Sequence, residues 1–595
     1  MSVVSSRVSS VSSLLKGPGM RSKLIGQSNR VNFKLPKNLK NILSNFENGC
    51  DRKIYEDLIR ILRDSNIKDN ELIELLTDMH QCIPQLGPVH GCLVGTLLNI
   101  EWIGRGEGAV LAYKGFLEDL VCAHVYHTKF VVDRLVNLFM PDDEATEWED
   151  GNPREEDLRK LNHVHDALNK LLKIIPMSGG LLLQAVTSAY PYMKRGTHIH
   201  QRFLHALLQI SEYAPHLRSD ILSLIINRLI ILDVNAPTSE IEDYEEEEMQ
   251  EEDTGGGGVF NMEDIGSNDK AKPLKALRHP VAHTLDVCME QVLSYIYGSC
   301  HVQGTLELES LKGLYHEILQ IFEKIILPTH ASHHVQFIMF YICSFKVVVA
   351  EAFLNWLWRK VSNPNVAPVI RQSAVSYIAS LLARAAFMPL ELLTAMLQEM
   401  SQWVHSYVSS QDSLECVNSD VRVHSVFYSV CQAMFYLIAF RHKDLVDTKK
   451  NLLILQSLNL TKIVTCRLNP LRVCQPAVIQ NFAAVTRTYQ LAYCYTVIER
   501  NSRSNLPVLQ NSNRLSTWLD TFFPFDPYAL RLSSHRIISV YIHYQGSVNV
   551  ESATAGLKDE TDEDDFMDES FPQSMDSYGH KDKFSYSTSP GFIHT

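Results

Sequence analysis

The stretch ILSLIINRLIILDVN (Ile221–Asn235) is apolar on nearly every side of a helical wheel. A helix of this kind is stable only when other elements of the fold surround it. The stretch therefore predicts a buried helix with other helices packed around it.

Helical patterns recur throughout the chain. Asp69 or Asn70 is a candidate cap for a helix whose apolar face contains Leu72, Leu75, Leu76 and Met79. Three longer helices are predicted later in the chain, over Leu311–Ile326, Val369–Ala385 and Ile479–Glu499. Prolines fall between these segments, and no strand alternation with Asn-Gly or Asp-Gly turns stands out.

This density of helices favours an all-α fold. Helices joined by short breaks over about 450 residues would form about ten two-helix units of the HEAT or armadillo kind. We therefore predict a HEAT-repeat-like helical solenoid with a disordered acidic insertion and a disordered tail. Because no sharp sequence period is visible, a globular all-helical fold stays open.

Composition shifts along the chain divide it into five segments. Residues 1–40 are rich in serine and basic residues, which predicts a flexible N-terminal segment and also resembles a mitochondrial transit peptide. Residues 41–238 and 273–545 are predicted to form the two halves of the helical body. Residues 239–272, acidic and then glycine-rich, predict a disordered insertion, and residues 546–595 predict an acidic, serine-rich disordered tail.

The formal net charge of -13 is unevenly spread over the 595 residues. Three acidic stretches, Asp142–Asp157, Glu240–Asp253 and Lys558–Glu569, carry net charges of -8, -10 and -7. The remainder is therefore mildly basic, at +12, and this charge is dilute over its length. Since strong phosphate binding needs clustered Lys and Arg, we expect direct DNA contact to be weak or indirect.

The sequence shows no catalytic or metal-binding constellation. GRGEG (Gly104–Gly108) is followed by Ala109, where a dinucleotide-binding fingerprint has its third glycine, and HEILQ (His316–Gln320) lacks the second histidine of a zinc-protease motif. The twelve cysteines include no Cys-x-x-Cys pair and indicate reduced core thiols. We predict no enzymatic activity, no cofactor, no metal and no membrane span, and we interpret the histidines as core or capping residues.

Several long strings resemble the RNA polymerase I transcription initiation factor family known as TIF-IA. The most distinctive is ILPTHASHHVQFIMFYICSFK (Ile326–Lys346). Further similar strings occur in the expected order, and they are LDVNAP (Leu232–Pro237), VIRQSAVSYIASLLARA (Val369–Ala385), FYSVCQAMFYLIAFRHKDL (Phe427–Leu445), LQSLNL (Leu455–Leu460), LNPLRVC (Leu468–Cys474), YTVIERNSR (Tyr495–Arg503) and LDTFFPFDPYAL (Leu519–Leu530).

The resemblance implies a non-enzymatic HEAT-repeat factor that binds RNA polymerase I through its stalk subunits. Such a factor bridges the polymerase to the promoter-bound selectivity factor, or core factor, on ribosomal DNA. Its implied regulators are protein kinases that respond to growth and nutrients, and its implied location is the nucleus, in the nucleolus. The oligomeric state stays open, and a homodimer of the free factor is one expectation.

The resemblance also suggests candidate contact residues. In the family, the helix carrying the LARA string is a candidate contact for the promoter factor, although Ala386 stands here where a family pattern has lysine. Two arginines of this predicted helix lie about 140° apart around its axis, so they do not share a face. A short basic string follows another, strongly apolar helix. The candidate partner-binding residues are thus Arg371, Arg384, Arg441, His442 and Lys443.

Short patterns near acidic residues and prolines suggest phosphorylation sites. Thr146, Ser239 and Thr561 each have an acid three positions later, as an acid-directed kinase prefers, and Ser589 precedes a proline. FPFDP (Phe523–Pro527) is expected either to dock an extended segment on the last repeats or to form a rigid C-terminal cap. The alternative function is another helical-repeat adaptor, such as a nuclear transport receptor. No string of this sequence resembles that class of protein.

Overall fold

Helices dominate the structure, which is a computed structural model. It describes residues 38–64, 67–141, 147–148, 153–236, 241, 277–330, 332–413, 421–504, 519 and 523–544. These residues form two compact units, one within residues 1–142 and 153–190 and the other within residues 143–152 and 191–595. The predicted all-α fold is confirmed. The predicted segments 1–40, 239–272 and 546–595 lie almost entirely outside the described residues, and the five segment limits stay predictions.

The first unit is built from helices that pack on one another two positions apart in the chain. Its described helices are α1 (Leu39–Glu47), α2 (Arg52–Asp64), α3 (Asp69–Cys82), α4 (Gly91–Leu98), α5 (Glu107–Ala123), α6 (Thr128–Asn137), α7 (Glu155–Ile174) and α8 (Ser178–Ala189). Helix α3 packs on α5, α5 on α7 and α6 on α8. Packing of near neighbours in this manner is typical of helical repeats.

Asp69 joins two helices instead of capping its own. Its carboxylate accepts hydrogen bonds from the backbone N–H of Gly106 (3.0 Å), at the start of α5, and from Arg105 (3.1 Å). At the start of α3, the Glu71 carboxylate accepts a hydrogen bond from the backbone N–H of Lys68 (3.1 Å). The predicted local cap at Asp69 was therefore wrong, whereas the predicted apolar face of α3 is buried as expected.

Helices of the second unit also pack on near neighbours in the chain. Its described helices are α9 (Thr197–Tyr213), α10 (Arg218–Val234), α11 (Pro280–Cys300), α12 (Leu308–Ile321), α13 (Phe337–Ser344), α14 (Val347–Ser362), α15 (Pro368–Arg384), α16 (Leu390–Asp412), α17 (Ser425–Phe440), α18 (His442–Val446), α19 (Lys449–Ser457), α20 (Leu460–Val464), α21 (Pro476–Thr488), α22 (Cys494–Ser504) and α23 (His535–Ile538). Helix α14 packs on α15, α15 on α17 and α17 on α21.

The stretch that predicted a buried helix forms α10, and seven of its large apolar side chains are buried, whereas Ile231 and Val234 are exposed. Helix α12 runs into one π-helical turn at Phe322–Ile326, so the predicted helix over Leu311–Ile326 is also present. Across the described ranges, every helix either falls short of a bilayer's span or is too polar for one.

The predicted helix over Ile479–Glu499 is in fact two helices, α21 and α22. Gln490 has a φ of 52°, and the backbone N–H of Leu491 donates to the carbonyl of Thr486 (2.9 Å). A right-handed helix cannot continue through a residue in the left-handed region, so α21 ends here.

Two short strands, β1 (His301–Val302) and β2 (Thr305–Leu306), form an antiparallel hairpin. Its two turn residues, Gln303 and Gly304, have φ values of 52° and 80°. A two-residue turn with both φ values positive matches the twist of a hairpin, and Gln-Gly here does what Asn-Gly does more often. This hairpin was not predicted, because Gln-Gly is a rarer turn pair than Asn-Gly or Asp-Gly.

Candidate interaction surfaces

Two of the strings that carry the resemblance meet at Asp233, whose side chain is fully buried at the end of α10. Its carboxylate accepts hydrogen bonds from the backbone N–H groups of His333 (3.0 Å), His334 (2.9 Å) and Val335 (3.0 Å). The Ser332 hydroxyl (2.7 Å) and the His334 imidazole (2.8 Å) also contact it. Burial raises the pKa of Asp233, but His334 and these hydrogen bonds outweigh burial and lower it to about 2.

Residues 523–544, here called the docking segment, are held on α11 by two carboxylates. Asp286 accepts hydrogen bonds from the backbone N–H groups of residues 531–533, at 2.7–2.9 Å. Glu290, one turn later, forms an ion pair with Arg536 at 2.6 Å. The segment is thus fixed to a helix that lies about 245 residues earlier in the chain.

The FPFDP string at the start of the docking segment enters the core. The backbone N–H of Phe525 donates to the Ser380 hydroxyl (2.8 Å), and the Gln336 side chain donates to the carbonyl of Pro524 (2.6 Å). The Phe525 ring lies 5.1–5.7 Å from three aromatic rings, those of Phe337, Phe340 and Tyr377. These contacts place Phe525 against α13 and α15, whereas the expectation for this string was docking on the last repeats.

Arg384 is fully buried, which contradicts its prediction as a partner contact. Its guanidinium lies 4.8 Å from the ring of Phe440 and 5.4 Å from the ring of Tyr541, and it pairs with Asp526 at 3.6 Å. The backbone carbonyl of Arg384 accepts from the N–H of Ile542 (2.7 Å). This arginine holds the docking segment against the C-terminal end of α15.

The other predicted contact residues serve the fold to different degrees. The Arg371 side chain donates to the carbonyl of Val361 (2.7 Å), at the turn between α14 and α15. Arg441 pairs with Asp444 and donates to the carbonyl of Leu382 (3.1 Å).

The two residues after Arg441 differ in exposure. The imidazole of His442 lies 2.9 Å from the carbonyl of Ala439, while Lys443 is exposed. Among the five predicted contact residues, Lys443 is thus the one whose side chain is exposed.

The four predicted phosphorylation sites, Thr146, Ser239, Thr561 and Ser589, lie outside the described residues. Their prediction therefore rests on the sequence alone.

A turn in the first unit presents apolar side chains that the sequence analysis missed. Val125, Tyr126 and Phe130 are 65%, 60% and 53% exposed. The imidazoles of His124 and His127 contact the carbonyls of residues 83 and 86 at 2.7 and 2.8 Å, which fixes this turn on the end of α3. We call Val125, Tyr126 and Phe130 the apolar turn. Exposed apolar side chains held in a rigid frame often mark a protein contact.

The charge of the second unit is concentrated in one part of it. Residues 421–504 contain eleven Lys and Arg but only three Asp and Glu. This net charge of +8 is most of the +12 outside the three acidic stretches. An average over the whole body therefore concealed this local concentration of charge. A charge count in a moving window would have revealed it.

Seven of the eleven described cysteines are buried, as predicted, and so are seven of the described histidines. His127 and His334 are fully buried, and burial raises the pKa of the Cys288 thiol to about 12. Cys50, Cys92 and Cys122 are exposed free thiols, contrary to the expectation of core positions. Within the described residues, no three His, Cys, Asp or Glu side chains come together as a metal site would require.

Comparison with known proteins gives one family over most of the chain. Residues 34–549 match the family described as "RNA polymerase I specific transcription initiation factor RRN3". A mouse protein named RNA polymerase I-specific transcription initiation factor RRN3 is 37% identical over 542 residues, which cover 86% of this chain and 82% of the mouse protein. A Schizosaccharomyces pombe protein of the same name is 26% identical over 549 residues, which cover 86% of each chain.

The fold also has a solved counterpart. The crystal structure of the RNA polymerase I transcription initiation factor Rrn3 matches with a TM-score of 0.66 at 20% sequence identity. The match covers 85% of this chain and 97% of the crystallised one. At this identity the likeness concerns the fold, and it agrees with the helical packing described above.

Proposed function

Because the chain belongs to the RRN3 family of RNA polymerase I-specific transcription initiation factors, we propose that it binds RNA polymerase I and bridges it to the promoter-bound selectivity factor. The family consists of initiation factors and not of enzymes, and an initiation factor of this polymerase acts in the nucleus. We place its action in the nucleolus, on ribosomal DNA. The observation that carries the proposal is the family match over residues 34–549.

Two structural features support a bridging role. A bridge needs separate surfaces for its two partners, and the chain folds as two compact units, each with exposed side chains of its own. We assign the polymerase stalk to the apolar turn of the first unit. We assign the selectivity factor to the second unit, where Lys443 is the exposed predicted contact. Arg371 is a second, partly exposed candidate there.

The proposal is tested by affinity purification of the tagged protein from growing cells, with mass spectrometry of its partners. We expect RNA polymerase I subunits, including the stalk, and we expect them to be lost on starvation. A preparation that contains transport cargo or a small GTPase, but no polymerase, would favour the alternative of a nuclear transport receptor. Cross-linking of the free protein would show whether it forms a homodimer.

Replacing both aromatic residues of the apolar turn is expected to weaken polymerase binding. Exposed aromatic side chains at the centre of an interface commonly contribute about 1 to 1.5 kcal/mol each, so we expect Tyr126→Ala/Phe130→Ala to lower the affinity by about 30- to 150-fold. The free energy of unfolding should change little because both side chains are more than half exposed. Binding to purified RNA polymerase I is the measurement.

The matched control for the apolar turn is Leu111→Ala, because Leu111 is a 67% exposed apolar residue on α5 of the same unit. Its variant should bind the polymerase as the wild type does. If the double variant keeps full affinity, the stalk contact lies elsewhere on the chain.

Phosphorylation at Thr146 and Ser239 is proposed to release the polymerase. A phosphate adds about -1.5 to -2 charges, which would oppose docking of a partner on the modified surface. We expect Thr146→Glu/Ser239→Glu to bind the polymerase about 10-fold more weakly, and Thr561→Glu/Ser589→Glu in the tail to act more mildly. Alanine at the same four positions is the control. Equal polymerase affinities of Thr146→Glu/Ser239→Glu and the wild type would refute the proposed release by phosphorylation.

A further inference from the structure

The last helices of the second unit are rich in basic residues, and Asp412, from an earlier helix, lies near Cys466 beside them. Six exposed basic side chains lie on α20, the 3₁₀ turn at Pro470–Arg472, α21, α22 and the loop between α20 and that turn. We call them the cationic face, and they are Lys462, Arg467, Arg472, Arg487, Arg500 and Arg503. Glu499, which pairs with Arg503 at 2.5 Å, is the only acid between residues 458 and 504.

The elements that carry the cationic face are fixed to one another. The side-chain amides of Asn469 and Asn501 bond at 2.7 Å, which ties the loop after α20 to α22. The guanidinium of Arg487 lies 5.6 Å from the ring of Tyr495, next to Tyr493, which is 79% exposed. The face therefore offers positive charge and exposed aromatic rings on a rigid support.

The docking segment ends close to this face. The ring of Tyr544 lies 5.1 Å from that of Phe440, the last residue of α17. Near the other end of α17, the Tyr428 hydroxyl donates to the carbonyl of Leu468 (2.9 Å), beside Arg467. The twelve residues between these two tyrosine contacts correspond to about 18 Å of helix.

The chain that follows Tyr544 carries the opposite charge. Residues 559–569 contain eight acids and Phe566, and they begin fifteen positions after Tyr544. Fifteen residues span at most about 50 Å when extended, so this stretch reaches a surface about 18 Å away.

We propose that the acidic stretch 558–569 binds the cationic face of the same chain. The carboxylates pair with the exposed arginines, and Phe566 packs on Tyr493 and Tyr495. Tethering gives the stretch an effective concentration in the millimolar range, which favours it over a free polyanion of similar intrinsic affinity. The contact would cover the face until a partner displaces it, and this inference does not depend on the proposed function.

The contact is tested in the full chain with a photo-cross-linker, p-benzoylphenylalanine, in place of Phe566. The protein is irradiated at low concentration as a mixture of light and heavy isotope-labelled copies, so that cross-links within one chain are identified. We expect cross-links to residues 462–503. Their yield should fall at least fivefold in 0.5 M salt, because exposed charges are screened.

Charge reversal supplies the matched variants for this experiment. Arg467→Glu/Arg472→Glu/Arg500→Glu should lower the cross-link yield at least fivefold. Lys129→Glu/Lys173→Glu/Lys194→Glu reverses as many exposed charges elsewhere and should leave the yield unchanged. Cross-links that map outside the cationic face, or a yield that both triple variants leave unchanged, would overturn the proposal.

A second measurement separates the tail from nucleic acid as the occupant. In a full-length variant whose eight tail acids are replaced by Asn and Gln, a synthetic peptide of residues 555–572 should bind at least tenfold more tightly than to the wild type. Equal binding to both proteins would overturn the proposal. So would binding of a single-stranded oligonucleotide, but not of the peptide, to the uncovered face.

Discussion

Asp233→Ala is expected to lower the free energy of unfolding by about 3–5 kcal/mol, the usual cost of removing one partner of a buried charged cluster. The substitution leaves three backbone N–H groups, those of residues 333–335, without their acceptor inside the core. It also removes the partner of His334. Urea denaturation followed by circular dichroism is the measurement.

The control for this variant is Asp220→Ala, because Asp220 lies exposed on the same helix, α10. Its effect on the free energy of unfolding should stay within about 0.5 kcal/mol.

The loss in free energy of unfolding caused by Asp233→Ala should become smaller as the pH falls. Because the pKa of Asp233 is lowered to about 2, its charge stabilises the fold above about pH 4, and this contribution is lost as the pH falls toward 2. A deficit that stays constant over this range would contradict the account.

Arg384→Ala is expected to have the second large effect, about 3 kcal/mol or more, by freeing the docking segment. The guanidinium is the cation between the rings of Phe440 and Tyr541, and it is the partner of Asp526. Hydrogen exchange should therefore rise first at residues 523–544, before the helices unfold. Arg384→Lys should restore little of the stability lost in Arg384→Ala, since an ammonium lacks the planar group that stacks on both rings.

Helix α15 supplies the control for the arginine variant. Arg371→Ala, near its other end, removes a single side-chain hydrogen bond and should cost about 1 kcal/mol.

Burial raises the pKa of Asp526 to about 7, and Arg384 opposes that rise. Without Arg384, the folded pKa of Asp526 should rise further, so the variant keeps losing stability above pH 7 where the wild type no longer does. The deficit of Arg384→Ala should therefore grow as the pH rises through 7. Equal deficits at pH 6 and pH 8 would contradict this.

The sequence predicted the helices well where periodicity decides them. The apolar residues of α10 and the spacing in α3 admit few alternatives to a packed helix. The break between α21 and α22 was not predicted, because a left-handed Gln490 is set by tertiary packing and leaves no mark in the apolar pattern.

The candidate contact residues were harder to predict, and Arg384 shows why. An arginine near the end of a helix is usually exposed, and the last turn favours its charge. Here its partners, Asp526, Tyr541 and Ile542, come from 142–158 residues later in the chain. Local sequence carries no information on such pairs. The apolar turn was missed for the opposite reason, since isolated apolar residues near a helix start predict burial as readily as exposure.

The docking segment sets an order of events during synthesis. The ribosome makes α11 about 245 residues before Arg531 and Arg536, the residues that Asp286 and Glu290 bind. At 5–20 residues per second, this interval lasts about 10–50 seconds, during which Asp286 and Glu290 lack their partners. The second unit therefore waits for nearly the last of the described residues before its core closes, and a nascent chain at this stage exposes apolar surface that chaperones recognise.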